Sequence, residues 1–557
     1  MFDSTVPRRL VSPCLLAAAI ALGLIAAAPG ERASGDSHIP PNVVFLFTDD
    51  QPHTMMGAMP ATRGLIGARG VDFRRSYISY PICCPARATM LTGLHMHNHG
   101  VRGNGGTYGG WHRFRDGGAA GEPNALPVRL DDAGYYSVHV GKYMNGYSAI
   151  DGLHVPPGWD EWYGRIGGEV SVYNNYTLVE KGPSGIPAAV FYGDQESDYS
   201  TDVFASKALG FIERANGIGQ PFFLSVSFSA PHHPFTPAAR DLYTREYSPI
   251  GPRPGFNERY IGDKPRWFRK EAHRRMGPGA RAQVNSFSRR RDETLAGVDS
   301  AVSSIVSSLE QQGLLDNTYI VFTSDNGIFR GEHRITGGKY LPHEPSSHVP
   351  MLIRGPGISP GSASDELVSN VDLAATVQEL AGIPDPSLDG RSLLPFARNP
   401  ALRTTRPILI EGDTGAGRGI GGGFDPDVLG AKSAVGKKRL RKAGLLRKKG
   451  VDNLDQEKLA GKSQARGDRA PAYRAIRTDR YLYVLYATGD VELYDMLRDP
   501  GQLQSRARDA RYAPVRRWLF DRLVELARCD GAGCNAEIGS PPDPLRAKAL
   551  RRKRAQR

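Results

Sequence analysis

The sequence predicts an α/β fold built around buried parallel strands, and two apolar runs and one helix carry this prediction. The runs lie within residues 41–50 and 316–327, and each is nearly continuous, which is typical of a strand buried on both faces of a sheet. Before the second run, apolar residues recur at helical spacing, and they are Leu295, Val298, Val302, Ile305, Val306 and Leu309. Strands that alternate with amphipathic helices indicate the α/β class.

The composition is that of a globular protein with an uneven positive charge. The chain has 557 residues, of which 40% are hydrophobic and 23% are charged, so it can form one large domain and a smaller one. Its five cysteines are few for this length, so disulfides do not carry the fold. The net charge of +13 suits a polyanionic partner such as nucleic acid, a sulfated polysaccharide or an anionic surface. Much of the charge lies in two late tracts, however, and we expect no nucleic acid partner.

Each apolar run ends in side chains that offer oxygen ligands. Asp49 and Asp50 follow the first run, and Asp325 and Asn326 follow the second. Because ligand sites of open α/β sheets lie at the carboxyl ends of the strands, we expect these four side chains to lie together. An all-oxygen ligand set suits a hard divalent cation, Ca²⁺ or Mg²⁺, better than zinc.

A helix is predicted to begin at two neighbouring cysteines, Cys83 and Cys84. Pro85 suits its first turn, and Gly93 suits the residue just past its end. The cysteines would then lie at the helix N-terminus, where free backbone N–H groups favour an anion, and Arg87 adds a positive charge. A nucleophile at this point would face a bound anionic group. Taken alone, the two cysteines could equally form a disulfide or pack as small apolar side chains.

The same helix resembles the signature of the formylglycine sulfatases, which is Cys-x-Pro-x-Arg followed by Leu-Thr-Gly. It reads Cys83-Cys84-Pro85-Ala86-Arg87 and then Leu91-Thr92-Gly93. The resemblance implies that a formylglycine-generating enzyme oxidises Cys83 to formylglycine, whose hydrate is the nucleophile. It also implies one Ca²⁺, with Mg²⁺ as the alternative, held by the three acids, Asn326 and residue 83. An unmodified thiol would be a poor neighbour for such a cation, whereas the hydrate supplies oxygen.

Three further elements resemble the same family and follow in the same order. They are Gly141-Lys142 after a predicted strand at residues 135–140, Ala230-Pro231-His232 after one at 222–228, and Gly338-Lys339. The resemblance implies that Arg87, Lys142 and His232 hold the sulfate and that Lys339 contacts the bridging oxygen. It further implies an alkaline-phosphatase-like fold, in which a large mixed sheet is flanked by helices and a small C-terminal subdomain combines antiparallel strands with a helix.

Two sequence blocks narrow the resemblance to the N-acetylglucosamine-6-sulfatases. They are residues 154–159 and 173–177. Met144 also resembles this branch, because many arylsulfatases have a histidine at that point as the base that expels sulfate. The sequence therefore assigns no residue as this base. His139 is nearby, but on a strand it should point away from Lys142, and it is expected in the core.

The substrate expected from this resemblance is a sulfate monoester on a sugar, with 6-sulfated N-acetylglucosamine at a chain end as first choice. A sugar needs aromatic and amide partners beside the cationic sulfate pocket. Candidates for these partners lie in or near the two blocks, and they are Trp159, Trp162, Tyr173 and Asn174. The aromatic residues among them could equally be core residues.

The first part of the chain divides into three segments. Residues 1–35 place two arginines before an apolar run, which predicts an export signal, or alternatively an uncleaved anchor, of a secreted, periplasmic or cell-surface protein. The catalytic domain is expected over residues 40–412. Residues 413–470 carry a run of lysines and arginines without intervening acids, and this insertion is either a disordered loop or a landing site for an anionic polysaccharide.

The last part of the chain predicts a C-terminal subdomain over residues 471–540. Short strands are expected at residues 473–477, 481–487 and 491–495, and a helix around 515–528. Cys529 and Cys534 lie close together in a chain that carries an export signal, so they are expected to form a disulfide. Residues 541–557 form a basic tail.

The function expected is therefore that of a sulfuric ester hydrolase, and three alternatives remain open. A generic arylsulfatase would use the same residues on aryl sulfate esters. A phosphonate monoester hydrolase or phosphodiesterase of the same fold would use a similar site, whereas a two-zinc phosphatase needs further histidine and aspartate ligands that the sequence does not offer. A non-catalytic polyanion-binding protein would leave Cys83 as a thiol.

Overall fold

The fold was taken from a computed structural model, which describes residues 40–147, 153–166, 172–245, 253–272, 274–413 and 470–544. The predicted export signal, nearly all of the basic insertion and most of the basic tail lie outside these residues. Among the described residues, no helix is both long enough and apolar enough to cross a membrane.

The strands were numbered in chain order. They are β1 (Asn42–Thr48), β2 (Val71–Phe73), β3 (Ser76–Tyr77), β4 (Tyr136–Lys142), β5 (Glu161–Arg165), β6 (Tyr176–Lys181), β7 (Ala188–Tyr192), β8 (Phe222–Ser227), β9 (Thr318–Ser324), β10 (Met351–Arg354), β11 (Ser362–Ser364), β12 (Val368–Ser369), β13 (Ile408–Gly412), β14 (Tyr473–Arg477), β15 (Tyr481–Tyr486) and β16 (Val491–Asp495).

The α-helices were numbered in the same way. They are α1 (Pro60–Leu65), α2 (Cys83–Thr92), α3 (Met96–His99), α4 (Gly110–Arg115), α5 (Leu126–Asp132), α6 (Ser200–Ala215), α7 (Arg266–Glu271), α8 (Pro278–Gln311), α9 (Glu344–Ser347), α10 (Asp372–Leu380), α11 (Leu394–Arg398) and α12 (Ala513–Leu526).

A ten-stranded mixed sheet forms the centre of the protein. Its strand order is β11-β2-β10-β9-β1-β8-β4-β5-β6-β7. The five central strands, from β9 to β5, are parallel, and β10, β6 and β7 run antiparallel to their neighbours. The two predicted buried strands are β1 and β9, which lie side by side with Val44 opposite Ile320. The predicted large mixed sheet flanked by helices is therefore confirmed.

Strand β1 is apolar along its whole length because both faces of the sheet are covered. Val44 and Leu46 pack in one core together with residues of α6 and α8. Val43 and Phe45 pack in a second core, on the other face, with residues of α2, α5 and α10. Alternate side chains of a strand point to opposite faces, so a strand between two cores has no polar face.

A four-stranded antiparallel sheet forms the C-terminal subdomain, in the order β13-β14-β15-β16. Its last three strands and α12 agree with the predicted strands and helix to within two residues. The fourth strand, β13, comes from before the basic insertion and pairs with β14, which the sequence did not predict. The structure joins Cys529 to Cys534 in a disulfide.

Candidate active site

Helix α2 places Cys83 in a buried position at the carboxyl ends of the central strands. The helix begins at Cys83 and ends at Thr92, and Gly93 follows with a φ of 69°, the left-handed conformation that suits glycine just past a helix. A side chain at Gly93 would also press on Leu388. The predicted helix and its end are thus both present, and its first turn is buried.

The two cysteines face different surroundings. The Cys83 sulfur lies 3.6 Å from Asp49 Oδ1. The Cys84 sulfur instead accepts a hydrogen bond from the Asn145 backbone N–H at 3.1 Å, and the Cys84 N–H donates to Asn104 Oδ1 at 2.9 Å. Both cysteines are free in the structure, so they do not form a disulfide with each other. Cys83 alone therefore faces the acidic residues.

The acids at the ends of β1 and β9 lie at one level because of the strand register. Thr48 is paired with Ser324, so the next residues, Asp49 and Asp325, leave the sheet side by side. Asp50 has a φ of 71°, and its backbone N–H donates to Asp325 Oδ1 at 3.3 Å. The expectation that the carboxyl ends of these strands meet is fulfilled in the geometry.

These groups form one buried cluster that could hold a metal ion. Ligand atoms of Asp49, Asp50, Cys83 and Asp325 all lie within 4.8 Å of one another. The Asn326 Nδ2 donates to Asp50 Oδ1 at 2.6 Å, while the Asn326 Oδ1 is buried and has no hydrogen-bond partner in the described part of the chain. A buried amide oxygen normally has a partner, so this free acceptor fits a cation ligand. The donor set, mostly carboxylate and amide oxygen, fits Ca²⁺ or Mg²⁺.

Two lysines reach into the same cluster from different elements. Lys142 is the last residue of β4, which extends two residues beyond the predicted strand, and its ammonium contacts the Asp49 carboxylate. The Lys339 ammonium contacts the Asp50 carboxylate and lies 2.8 Å from the Cys83 sulfur. Both lysines are buried or nearly so, and each therefore depends on the carboxylates for its charge balance.

Arg87 is fixed from three sides within the cluster. Its Nε donates to Asp325 Oδ2 at 2.8 Å, and its Nη1 donates to Ser227 Oγ and to the Lys142 carbonyl oxygen, both at 2.7 Å. Its Nη2 is buried without a partner among the described residues. Arg87 therefore ties β9, β8 and β4 together beside the cluster.

His232 lies at the more open side of the cluster, five residues after the end of β8. Its Nε2 is 3.8 Å from Asp50 Oδ2, and its Nδ1 lies 2.9 Å from the His233 carbonyl oxygen. Its side chain is 26% exposed, compared with 12% for Lys339 and 6% for Lys142. Burial lowers the pKa of His232, against the attraction of Asp49 and Asp50. His232 is therefore the most exposed of these three cationic side chains.

Burial and the nearby charges act in opposite directions on the ionisable groups. Burial raises the pKa of Asp49, but the combined attraction of Lys142, His232, Lys339 and Arg87 outweighs it, and the pKa lies well below its usual value. Burial lowers the pKa of Lys339, but the attraction of Asp50 and Cys83 outweighs it and holds the pKa well above its usual value. Burial raises the pKa of the Cys83 thiol to about 12. An unmodified Cys83 is thus a thiol, which is a weak nucleophile.

Three aromatic residues considered as sugar partners lie in the core instead. Trp159, Trp162 and Tyr173 are at most 4% exposed. Trp162 is enclosed by neighbouring side chains. Its Nε1 donates to the Tyr147 hydroxyl at 2.7 Å, and its ring stacks on the His139 ring with 4.6 Å between the ring centres. The core interpretation is therefore the right one for these three rings.

His139 lies in the core, as the sequence predicted, and so does Met144. Met144 is 1% exposed and packs in the core with α2. Burial lowers the pKa of His139 to about 3, and its ring lies among Tyr143, Trp159 and Trp162. Because the His139 ring is enclosed in the core, it is not a candidate for the base that expels sulfate, and that base stays unidentified.

Two arginines near the cluster were missed in the sequence. Arg291 lies on α8 and Arg330 lies four residues after Asn326, and both are buried. A signal for Arg291 was available, because it lies four residues before Leu295 on the apolar stripe of the helix, where a charged residue is unexpected. Arg330 stands in a loop and gives no comparable periodic signal.

A family model provides the deciding comparison. The model described as "Sulfatase" matches residues 41–383, which is more than half of the chain and includes every candidate site residue named above except the C-terminal disulfide. The chain belongs to the sulfatase family. This membership confirms the predicted resemblance, and it makes the protein a sulfuric ester hydrolase. The family uses a metal ion and formylglycine, which the buried cluster beside Cys83 suits.

Individual relatives of this sulfatase agree with the family model. Human N-acetylglucosamine-6-sulfatase is 36% identical over 74% of this chain and 74% of its own length. A Caenorhabditis elegans protein described as a putative extracellular sulfatase Sulf-1 homologue is 36% identical over 63% of this chain and 48% of its own. A solved structure in complex with its substrate D-glucosamine-2-N,6-O-disulfate has a TM-score of 0.65 at 22% identity, covering 88% of this chain and 98% of that one, and shows that the fold is shared.

Proposed function

We propose that this sulfatase hydrolyses a sulfate monoester on a sugar, with 6-sulfated N-acetylglucosamine at a chain end as its first substrate. One observation carries the proposal. Cys83 lies within a single buried cluster with Asp49, Asp50 and Asp325, and the Lys339 ammonium contacts both Asp50 and Cys83. A nucleophile at residue 83 would thus start beside a cation site and a proton donor.

Two groups would supply chemistry that the amino-acid side chains lack. A hydrated formylglycine at position 83 would supply an oxygen nucleophile, and a divalent cation, Ca²⁺ in preference to Mg²⁺, would supply positive charge to the sulfate oxygens. Asp49, Asp50, Asp325 and Asn326 would hold the cation through their oxygens, in line with the free Asn326 Oδ1.

The chain's own cations would hold the sulfate and assist the leaving group. Arg87, Lys142 and His232 converge on the cluster from α2, β4 and the segment after β8, so they would bind the non-bridging oxygens and stabilise the charge that develops on them. Lys339 would give its proton to the bridging oxygen as the alcohol leaves, because its ammonium lies closest to residue 83.

The choice of sugar depends on the relatives. Human N-acetylglucosamine-6-sulfatase is among them, and the sequence blocks at 154–159 and 173–177 resemble that branch. Asn174 stays a candidate sugar partner, since it is half-buried where the three neighbouring rings are core.

Export and modification complete the proposal. Residues 1–35 would act as the export signal, in line with the relatives described as extracellular. The modifying enzyme would act on the unfolded chain, since Cys83 is 1% exposed once folded. The insertion at 413–470 would recruit an anionic polysaccharide to a catalytic domain that spans residues 40–412.

A panel of desalted substrates tests the proposed substrate. It contains nitrophenyl sulfate, phenylphosphonate, N-acetylglucosamine-6-sulfate, galactose-6-sulfate and heparin fragments, each assayed with the metal-loaded enzyme. The expected result is the highest kcat/KM on N-acetylglucosamine-6-sulfate. Turnover of nitrophenyl sulfate with no sugar sulfate cleaved would leave a generic arylsulfatase, and preference for phenylphosphonate would favour a phosphonate monoester hydrolase.

A further inference from the structure

Two buried arginines border the catalytic cluster without belonging to it. Arg291 is 5% exposed, and its Nη1 donates to the Pro231 carbonyl oxygen at 3.2 Å, next to His232. Arg330 is 3% exposed, and its Nη2 donates to Thr54 Oγ1 at 2.7 Å. Arg291 is thus held next to His232, and Arg330 lies close enough to Arg291 to affect its pKa.

Neither guanidinium forms an ion pair within the part of the chain that the structure describes, although Asp50 attracts Arg291 and Asp292 attracts Arg330 from a greater distance. Within it, no carboxylate oxygen lies within 4.0 Å of a side-chain nitrogen of Arg291 or Arg330, although buried arginines elsewhere, such as Arg406 with Asp372, have such a partner. The Arg330 Nε is buried and has no hydrogen-bond partner among the residues that the structure describes. A buried charge without a partner is unfavourable, so these two arginines fit a site that a bound anion completes.

The two charges also act on each other and on the cluster. The pKa of Arg291 is lowered to about 10, because burial and the repulsion of Arg330 together outweigh the attraction of Asp50. The Arg291 guanidinium lies over the Phe235 ring, 4.1 Å from its centre, and this fixes the plane of the guanidinium. Two fixed, mutually repelling cations attract an anion more strongly than either does alone.

The surroundings leave a route to these arginines. Thr54, which accepts the Arg330 hydrogen bond, is exposed, and so is His233, which follows His232. Arg330 thus contacts an exposed residue, and Arg291 contacts Pro231, two positions before the exposed His233. A group attached to the same sugar as the reacting sulfate could reach this position.

We propose that Arg291 and Arg330 form a second anion subsite, which binds a further anionic group of the substrate while the reacting sulfate occupies the catalytic cluster. The proposal rests on the proposed function and deepens it, because it selects sugars with a second sulfate or a carboxylate over singly charged ones. The second anion has two sources, an N-sulfate on the same sugar or the carboxylate of a neighbouring uronic acid. A fixed guanidinium binds either group through paired N–H donors.

Binding to the metal-loaded Cys83→Ala protein tests the subsite without turnover. Calorimetry would compare N-acetylglucosamine-6-sulfate, glucosamine-2-N,6-O-disulfate, and a disaccharide in which a uronic acid is linked to N-acetylglucosamine-6-sulfate. We expect at least one sugar with two negative charges to bind about tenfold more tightly than N-acetylglucosamine-6-sulfate, as one charge-assisted contact provides. Adding Arg330→Gln should remove this preference, and Arg330→Lys should keep part of it. The sugar that is preferred identifies the source of the second anion.

A matched control separates the subsite from general charge and from misfolding. Arg517 is exposed on α12, and Arg517→Gln removes the same charge far along the chain, so the preference should persist in it. Each variant would be checked by its melting temperature. Equal affinity for singly and doubly charged sugars, or a preference that survives Arg330→Gln, would overturn the subsite. If the unmutated enzyme cleaved no sugar sulfate at all, the proposed function would be overturned. The ratio of affinities for sugars with two and with one negative charge would still test the subsite.

Discussion

The Lys339 ammonium lies 2.8 Å from the Cys83 sulfur although 256 positions separate the two residues. The same ammonium contacts the Asp50 carboxylate, which lies in the acidic cluster. One side chain therefore links the proposed nucleophile to the proposed cation site. If Lys339 protonates the leaving oxygen, as proposed, the effect of its removal should depend on the leaving group.

Replacing Lys339 by alanine should affect sugar sulfates more than aryl sulfates. A sugar alkoxide leaves poorly without a proton, so kcat on N-acetylglucosamine-6-sulfate should fall by about 10²–10⁴-fold. Nitrophenolate leaves readily, so kcat on nitrophenyl sulfate should fall much less. Lys142→Ala is the matched comparison, because Lys142 contacts Asp49 on the other side of the cluster and should lower both activities by similar factors. Equal losses for both substrates in Lys339→Ala would argue against proton donation.

Replacing Asp325 by alanine should remove the metal and the activity together. The change takes one ligand from the cluster and leaves Arg87 without its buried partner, so kcat/KM should fall by at least about 10²–10³-fold. Metal content per protein, measured by mass spectrometry of the elements, should fall in parallel. Asp316→Ala is the control, since Asp316 is exposed near the start of β9. Full activity and metal content in Asp325→Ala would refute the ligand assignment.

Glu344 should make the protein sensitive to acid. Burial raises the pKa of Glu344, but His348 and Arg477 outweigh it and lower the pKa to about 2, from 4.5 in an unfolded chain. The folded state therefore gains stability that is fully present above about pH 4.5 and is lost as the pH falls towards 2. Because Glu344 is partly exposed, we expect a contribution of roughly 2 kcal/mol.

Denaturant unfolding of Glu344→Gln at several pH values checks this expectation. The variant should be less stable than the unmutated protein at pH 7, and the difference should shrink between pH 4.5 and 2. Glu310→Gln, on the exposed end of α8, should show no such dependence. A constant difference across this pH range would mean that Glu344 keeps its ordinary pKa.

Removing residues 432–449 should weaken activity on polymers alone. These residues lie outside the described part of the chain, and their run of lysines and arginines is the basis for the proposed polysaccharide contact. Activity on heparin fragments should fall, whereas activity on nitrophenyl sulfate should stay the same. Rising salt should mimic the deletion on the polymer, because salt screens exposed charges. Polymer activity that is unchanged by the deletion would leave the segment without this role.

The sequence predicted the parts of the site that local patterns encode. The apolar runs of β1 and β9 were recognisable because each strand is covered on both faces, and their ends placed Asp49, Asp50, Asp325 and Asn326. Helix α2 was recognisable from Pro85 and Gly93. In each case the signal lies within about ten residues, which is the range over which periodicity and end signals act.

Other features depend on contacts that no local pattern encodes. Strand β13 pairs with β14 across the basic insertion, and its five residues give no sign of which strand they join. The burial of Trp159 and Trp162 follows from packing against Phe223 and His139 of neighbouring strands. Contacts between residues that are distant in the sequence decide such features. A short apolar or aromatic stretch can therefore lie in the core or at the surface, depending on its tertiary contacts.

The oxidation state of residue 83 tests the central claim most directly. The protein would be produced in a host that contains the formylglycine-generating enzyme, digested, and the peptide that spans Cys83 and Cys84 measured by mass spectrometry. We predict an aldehyde at position 83 and an unmodified thiol at Cys84, in proportion to specific activity. Active protein in which Cys83 occurs only as a thiol or a disulfide would contradict the proposed mechanism.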